Sequence, residues 1–100
     1  MRSMAAKQAY QDITDFMKLE GSPPANWHSG VTCDWANRIF IKNNIAPWFR
    51  WYRVAQCMNC EDAKKVGQQL GDLGCDCQGC DDTDSDFFVY AYRNARIKYH

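Results

Sequence analysis

Four of the six cysteines stand in two Cys-x-x-Cys pairs, a spacing that is typical of metal sites built from thiolates. The first pair is Cys57 and Cys60, the second is Cys77 and Cys80, and sixteen residues separate the two pairs. Four thiolates at such intervals can hold one zinc ion in a tetrahedral site. Zinc is therefore the candidate cofactor, and two disulfides or free thiols are the alternatives.

The segment between the two pairs weakens the zinc interpretation. A helix expected over about Cys60 to Leu73 would hold the pairs roughly 20 Å apart, because an α-helix rises ~1.5 Å per residue. The segment from Cys75 to Asp86 has almost no apolar residues and is predicted to be a loop. Only a fold-back of this loop along the helix would bring the four thiols together. Thiols near the start of a helix are often redox-active, but the sequence around Cys57 lacks the βαβ pattern of a thioredoxin. A redox catalyst is therefore not favoured.

An acidic stretch from Asp72 to Asp86 contains six aspartates and no lysine or arginine. Such a stretch is either a solvated loop or a negatively charged surface that docks on a basic partner. Its last part alternates acidic residues as a calcium loop does, but it lacks the central glycine and closing glutamate of an EF-hand. The candidate binding residues in this stretch are Asp81, Asp82 and Asp84.

A dense aromatic cluster with interleaved arginines begins at position 48. A strand buries both of its faces only when each face is covered, so one face is a candidate interface with another protein. Aromatic and arginine side chains also suit stacking on nucleic-acid bases. The chain has twelve basic and twelve acidic residues, however, and this balance does not favour nucleic acid as the partner. The candidate binding residues are Trp48, Arg50, Trp51 and Tyr52.

Hydrophobic periodicity predicts that three helices and three strands position these residues. Gly21 and Pro23 end the first helix, Asp34 is a candidate N-cap for the second, and Gly74 stands at the end of the third. The predicted class is α/β (α+β), a small mixed or antiparallel sheet flanked by three helices in the order α-β-α-β-α-β. The first and third predicted helices span about 3–20 and 60–73, and the second runs from the cap at Asp34 to the Asn43-Asn44 pair, which closes it together with Pro47. The predicted strands span 26–32, 48–55 and 87–92.

Several motifs together resemble the GIY-YIG nuclease domain, as found in small bacterial and phage proteins. The run from His28 to Arg38 resembles the second motif of that family, because Gly30 and Arg38 keep its interval of eight residues. The strand around Val89-Tyr-Ala-Tyr92 and the glycine-containing loop before it also resemble that family. This resemblance implies one domain over 1–100, with an N-terminal helix and turn at 1–24, a GIY-YIG-like core at 27–93 and a basic tail at 94–100.

The departures from the family pattern indicate that catalysis is lost. No Gly-Ile-Tyr strand precedes Trp27, His28 stands in place of the motif tyrosine, and Gly67 aligns with the metal-binding glutamate. Glycine offers no ligand to the metal that phosphodiester hydrolysis needs. The resemblance leaves Arg38 as a candidate phosphate anchor, and His28 is a candidate base.

We therefore expect a non-catalytic binding or inhibitory protein, encoded by a phage and acting on a nucleic-acid-processing or defence complex of the host. One alternative is a small metal-dependent endonuclease that uses Arg38 and His28 with a relocated carboxylate, Glu61 or Asp62. The other is a cysteine-rich zinc module that binds protein or nucleic acid. Residues 1–19 contain no continuous apolar stretch, so neither a signal peptide nor a membrane span is expected and the predicted compartment is the cytoplasm.

Overall fold

The computed structural model describes residues 2–43, 45, 49–80 and 87–94. Over these residues the chain is a mixed α+β fold in which helices cover a five-stranded mixed sheet. The strands are β1 (Ser3–Met4), β2 (Trp27–Thr32), β3 (Tyr52–Cys57), β4 (Asp76–Cys80) and β5 (Phe88–Arg93). The two α-helices are α1 (Ala6–Glu20) and α2 (Cys60–Leu73), and a π-type helical segment spans Asn37–Lys42.

The strands lie in the order β1-β3-β5-β2-β4, so β5 is the centre of the sheet. It pairs antiparallel with both β2 and β3, whereas the outer strands β1 and β4 pair parallel with their neighbours. The predicted six elements are present in the predicted order. Two strands were not predicted: β1, and β4, which forms inside the stretch that was expected to be a loop.

The helix face of the sheet packs against α1 and α2. Alternate strand residues such as Val31, Ala55 and Val89 point to this face and are buried, as are Ile13 of α1 and Val66 of α2. Full burial of each valine or isoleucine side chain contributes about 1.5–3 kcal/mol, so this layer is the main hydrophobic core. The helices end where the sequence predicts, since Gly21 caps α1 with a φ of 95° and Gly74 follows α2 with a φ of 125°.

The opposite side, called here the tyrosine face, carries the residues between those positions: Tyr52, His28, Gly30, Tyr90 and Tyr92. The described residues between β2 and β3 that pack on it lie at 35–43, 45 and 49, and are called here the covering segment. Asp34 accepts a hydrogen bond from the Asn37 backbone amide at 3.1 Å, as a helix N-cap does, and the helical segment then places Ile39 in a second core with the two tyrosines of β5.

The strand predicted from position 48 begins at Tyr52 instead. Trp51 packs against the core of the helix face, with its ring 5.6 Å from that of Phe16, whereas the Tyr52 ring stacks on Trp35 at 6.1 Å. Both faces next to this aromatic cluster are therefore covered by the chain itself. In the part of the chain that is described, no helix has the length and apolar character needed to cross a membrane.

Candidate functional site

A polar network occupies the tyrosine face and joins β4 and β5 to the covering segment. We call it the tyrosine network, and its members are Arg38, Asn43, Gln78, Tyr90 and Tyr92. Arg38 Nη1 donates to Tyr90 Oη at 3.1 Å, and Tyr90 Oη donates to Gln78 Oε1 at 2.7 Å. Gln78 Nε2 then donates to Tyr92 Oη at 2.8 Å and to Asn43 Oδ1 at 3.0 Å.

The amide of Gln78 is the centre of this network, because its oxygen accepts from one tyrosine while its nitrogen donates to the other. Asn43 completes the connection by donating through Nδ2 to the backbone oxygen of Arg38. Tyr90 is 0% exposed and Tyr92 is 3% exposed, so the network lies under the covering segment. Buried hydrogen bonds of this kind contribute about 0.5–1.5 kcal/mol each, and a partner left alone costs more.

Gly30 makes room for the network. A Cβ atom at position 30 would lie 2.4 Å from Tyr90 Oη, well inside van der Waals contact. The phenol of Tyr90 therefore crosses directly over the backbone of β2, where only glycine leaves the space. The glycine that contributes to the sequence resemblance thus has a packing role in this fold.

His28 extends the site beyond the tyrosine network. Its ring stacks on Tyr92 at 5.1 Å between centroids, and Tyr92 in turn stacks on Tyr90 at 6.2 Å. Its Nδ1 lies 2.9 Å from Asp76 Oδ2 of β4, although Nδ1 is not aligned for a hydrogen bond with any group in the described residues. The fold therefore joins the predicted residues His28 and Arg38 through the two tyrosines and adds one carboxylate, Asp76.

The carboxylates proposed as relocated metal ligands do not join this site. Glu61 and Asp62 lie in the first turn of α2, which packs on the helix face, whereas Arg38 contacts the tyrosine face. The sheet therefore stands between these carboxylates and the arginine. Asp76, which the sequence did not single out as a site residue, is the carboxylate that β4 places beside His28.

Gly67, aligned with the family's metal-binding glutamate, is also on the helix side. It is buried in α2, and a Cβ atom there would lie 2.8 Å from Cγ2 of Val31. Close packing of the helix on β2 explains this glycine. A carboxylate at position 67 would enter the hydrophobic core instead of the site that contains Arg38.

The fold does not unite the two cysteine pairs. Cys57 is on β3 and Cys77 is on β4, and three strand spacings of ~4.8 Å place those strands about 14 Å apart. A Zn–S bond is only about 2.3 Å long, so one ion cannot reach both strands. All six cysteines are free thiols, and the described residues contain no group of three or more side chains arranged to hold a metal ion.

The two buried thiols differ from the others in acidity. Burial raises the pKa of Cys57 to about 11, and the nearby Asp62 adds to this shift. Burial likewise raises the pKa of Cys75 to about 11, with a smaller contribution from Cys77. Loss of a proton inside an apolar environment is unfavourable, so both thiols behave as small hydrophobic groups near neutral pH.

The remaining predicted binding residues are divided between packing and surface. Trp51 and Tyr52 are half-buried by the contacts described above, and Arg50 is exposed. Trp48, Asp81, Asp82 and Asp84 lie outside the described residues. Sequence reasoning missed Gln78 and Asn43, although the spacing of Tyr90 and Tyr92, two residues apart on a strand, was a signal that both point to one face.

Comparison with known proteins identified no relative of this chain. The chain matches no family model, no curated protein and no solved structure. The resemblance to GIY-YIG domains therefore rests on the sequence motifs, and the function is argued from the site itself.

Proposed function

We propose that this chain is a non-catalytic binding or inhibitory protein on a scaffold that resembles a GIY-YIG nuclease. In this proposal it is encoded by a phage and docks on a nucleic-acid-processing or defence complex of the host. The observation that carries the proposal is the use of Arg38, Tyr90 and Tyr92 inside the fold. Arg38 donates to Tyr90, and Gln78 bonds to both tyrosines.

A nuclease needs such groups to meet a phosphate and its metal ion. Here the hydroxyl groups of both tyrosines have partners within the protein, and their rings are buried beneath the covering segment. The same bonds hold that segment on the sheet. In this proposal the network has a structural role: it holds the covering segment in place and so supports a surface to which a partner binds.

The binding surface in this proposal is the β4 side of the molecule, which combines an edge strand with negative charge. β4 is the outermost strand of the sheet on that side of the described structure, and four of its five residues are exposed. Asp72 and Asp76 are exposed near it, and Asp81 and Asp82 follow it directly in the sequence. A partner with a basic surface would gain electrostatic attraction here.

Affinity capture from the native host tests this proposal when it includes a charge-matched pair of variants. Asp81→Asn/Asp82→Asn removes two charges after β4, and Asp15→Asn/Glu61→Gln removes two exposed charges on the helices. We expect the wild type and the helix variant to capture the same partner and the first variant to lose at least ten-fold in affinity, about 1.4 kcal/mol. Equal capture by all three proteins would refute the acidic docking surface.

A metal-dependent endonuclease is the second candidate, and one observation favours it. His28 and Asp76 lie 2.9 Å apart on the face that also contacts Arg38, so a carboxylate, an imidazole and a guanidinium share one side of the sheet. In that case the relocated ligand is Asp76. The alternative with Glu61 or Asp62 has no such support.

Cleavage of DNA and RNA by purified protein in Mg²⁺ discriminates between the two candidates. The binding proposal predicts no magnesium-dependent cleavage by the wild type. Cleavage that disappears in both Asp76→Asn and Arg38→Lys, with circular dichroism showing that both variants remain folded, would replace the binding proposal with the nuclease. Both substitutions retain most of the side-chain volume, so the control for folding is meaningful.

A further inference from the structure

The pair Cys77 and Cys80 is placed on one side of β4 by a β-bulge. Cys77 is in register with Ser29 of β2, and Cys80 is in register with Val31. Two residues of β4 therefore stand opposite one residue of β2, and Gly79 takes up the extra length with a φ of 80°. Ser29 and Val31 both point to the helix face, and paired residues of neighbouring strands point to the same face. Both cysteines therefore face the helix side.

This bulge changes the distance between the two thiols. In a regular strand, residues three apart point to opposite faces and their Cα atoms are about 10 Å apart. In the bulged strand, Cys77 and Cys80 match β2 residues that are two apart, a separation of about 6.6 Å along the strand. Disulfides occur at Cα separations of about 4.4–6.8 Å, so the bulge brings the Cα separation of the pair within the range that disulfides span.

Accessibility separates this pair from the two buried cysteines. Cys77 and Cys80 are exposed, whereas Cys75, two residues earlier, is 6% exposed and Cys57 is 1% exposed. Cys60 shares its Cys-x-x-Cys motif with a buried partner, so the first pair offers one accessible thiol at most. Thiol–disulfide exchange requires an approach in line with the sulfur atoms, and the β4 pair is the pair that permits it.

We propose that Cys77 and Cys80 form a reversible dithiol–disulfide site whose co-substrate is a low-molecular-weight disulfide such as glutathione disulfide. The thiolate of one cysteine attacks a sulfur of glutathione disulfide, forms a mixed disulfide and releases one glutathione thiolate. The thiolate of the second cysteine then attacks the protein sulfur of that mixed disulfide and releases the second glutathione. The two protein thiols lose two electrons and two protons, and one glutathione disulfide becomes two glutathione molecules.

The site is also connected to the tyrosine network. Gln78 lies between the two cysteines, and its amide bonds to Tyr90 and Tyr92 on the other face. Closure of the disulfide constrains the backbone on both sides of Gln78. The redox state of β4 is thereby linked to the contacts that hold the covering segment on the sheet.

The experiment incubates the reduced protein with glutathione disulfide and then unfolds it in guanidinium chloride, so that N-ethylmaleimide blocks buried as well as exposed remaining thiols. The tryptic peptide Val66–Arg93 is then measured by mass spectrometry. We expect a product that has lost two hydrogen atoms and carries one blocked thiol, at Cys75. Cys80→Ser is expected to stop at a glutathione adduct on Cys77, because no second thiol resolves it. Cys33→Ser and Cys75→Ala are expected to react as the wild type does.

The contribution of the fold is measured by repeating the equilibrium in urea. The folded protein is expected to form the disulfide with an equilibrium constant at least about ten-fold larger than the unfolded chain, because the bulge raises the effective concentration of one thiol near the other. The proposal is overturned by an equal or smaller constant in the folded state, by glutathione retained on the Val66–Arg93 peptide of the wild type, by no reaction of that peptide, or by a disulfide that includes Cys33 or Cys75.

Discussion

The substitution Gly30→Ala directly tests the packing that underlies the candidate site. The added Cβ atom would lie 2.4 Å from Oη, 2.7 Å from Cζ and 2.9 Å from Cε1 of Tyr90. Carbon atoms in proteins prefer separations of about 3.5–4.0 Å, so the ring must move by about 1 Å. That displacement is large enough to break the bonds from Tyr90 to Arg38 and Gln78, which are 3.1 Å and 2.7 Å long.

The expected loss of stability is the sum of the steric clash and the two broken hydrogen bonds. Overpacking of a filled core costs about 1–3 kcal/mol, and each hydrogen bond lost costs about 0.5–1.5 kcal/mol. Gly30→Ala should therefore lower the free energy of unfolding by about 2–6 kcal/mol. Since domains of this size have only about 5–15 kcal/mol of stability, the change is large.

Urea unfolding followed by circular dichroism measures this loss of stability. Two further variants test whether the loss comes from the clash with Tyr90. Gly71→Ala is the matched control, because its Cβ would lie an ordinary 3.7 Å from Cβ of Cys77, and we expect a gain of about 0.5–1 kcal/mol inside α2. In a Tyr90→Val background the cost of Gly30→Ala should fall below about 1 kcal/mol, since the ring is gone. An unchanged cost in that background would show that the clash with Tyr90 is not the cause.

Three other results are expected from urea unfolding. Glu20→Gln should lower the free energy of unfolding by about 3–5 kcal/mol, because the Arg93 side chain is 4% exposed and its Nη1 lies 3.3 Å from the Glu20 carboxylate. A loss below about 1 kcal/mol would contradict a buried ion pair. Gly67→Glu introduces the residue that the GIY-YIG resemblance places at this position. It should destabilise the protein by at least about 3 kcal/mol and create no magnesium binding that calorimetry detects. A stable, metal-binding variant would show that position 67 faces the site. Burial raises the pKa values of Cys57 and Cys75 from 9.0 to about 11, so the folded state holds these two protons more tightly than the unfolded chain does. The contribution of this burial to the free energy of unfolding should be fully present below about pH 9 and be lost as the pH rises through about 11. Cys75→Ala should reduce that fall, and an unchanged profile would contradict this assignment.

Elements with strong local signals were predicted well. The predicted bounds of the third helix agree with α2, Cys60–Leu73, because its apolar periodicity is clear and Gly74 ends it. The end of the first helix is confirmed in the same way, with the left-handed Gly21 following Glu20. Its predicted start at position 3 was wrong, because Ser3–Met4 pairs with β3 and the helix begins at Ala6. The last strand, predicted from position 87 to 92, differs by one residue at each end. These features depend on residues that are close in the chain, so periodicity and capping suffice.

The outer strands could not be predicted from local patterns. β4 contains no large apolar residue, and its position as a strand comes from pairing with β2, which lies more than forty residues earlier. β1 has only two residues and depends in the same way on β3. Prediction of the stretch after Cys75 as a loop was therefore wrong for Asp76–Cys80, because hydrogen bonding to a distant strand outweighed the local composition.

The sequence by itself determined which chemical groups the protein has, the two helices that cover the sheet, and the candidate residues His28 and Arg38. Only the tertiary structure decided which groups meet. It placed Gln78 between Tyr90 and Tyr92, brought Asp76 to His28, and separated the two Cys-x-x-Cys pairs by three strand spacings. The physical reason is that the order of strands in a sheet depends on pairing between distant segments, and the face to which a side chain points changes with a single bulged residue.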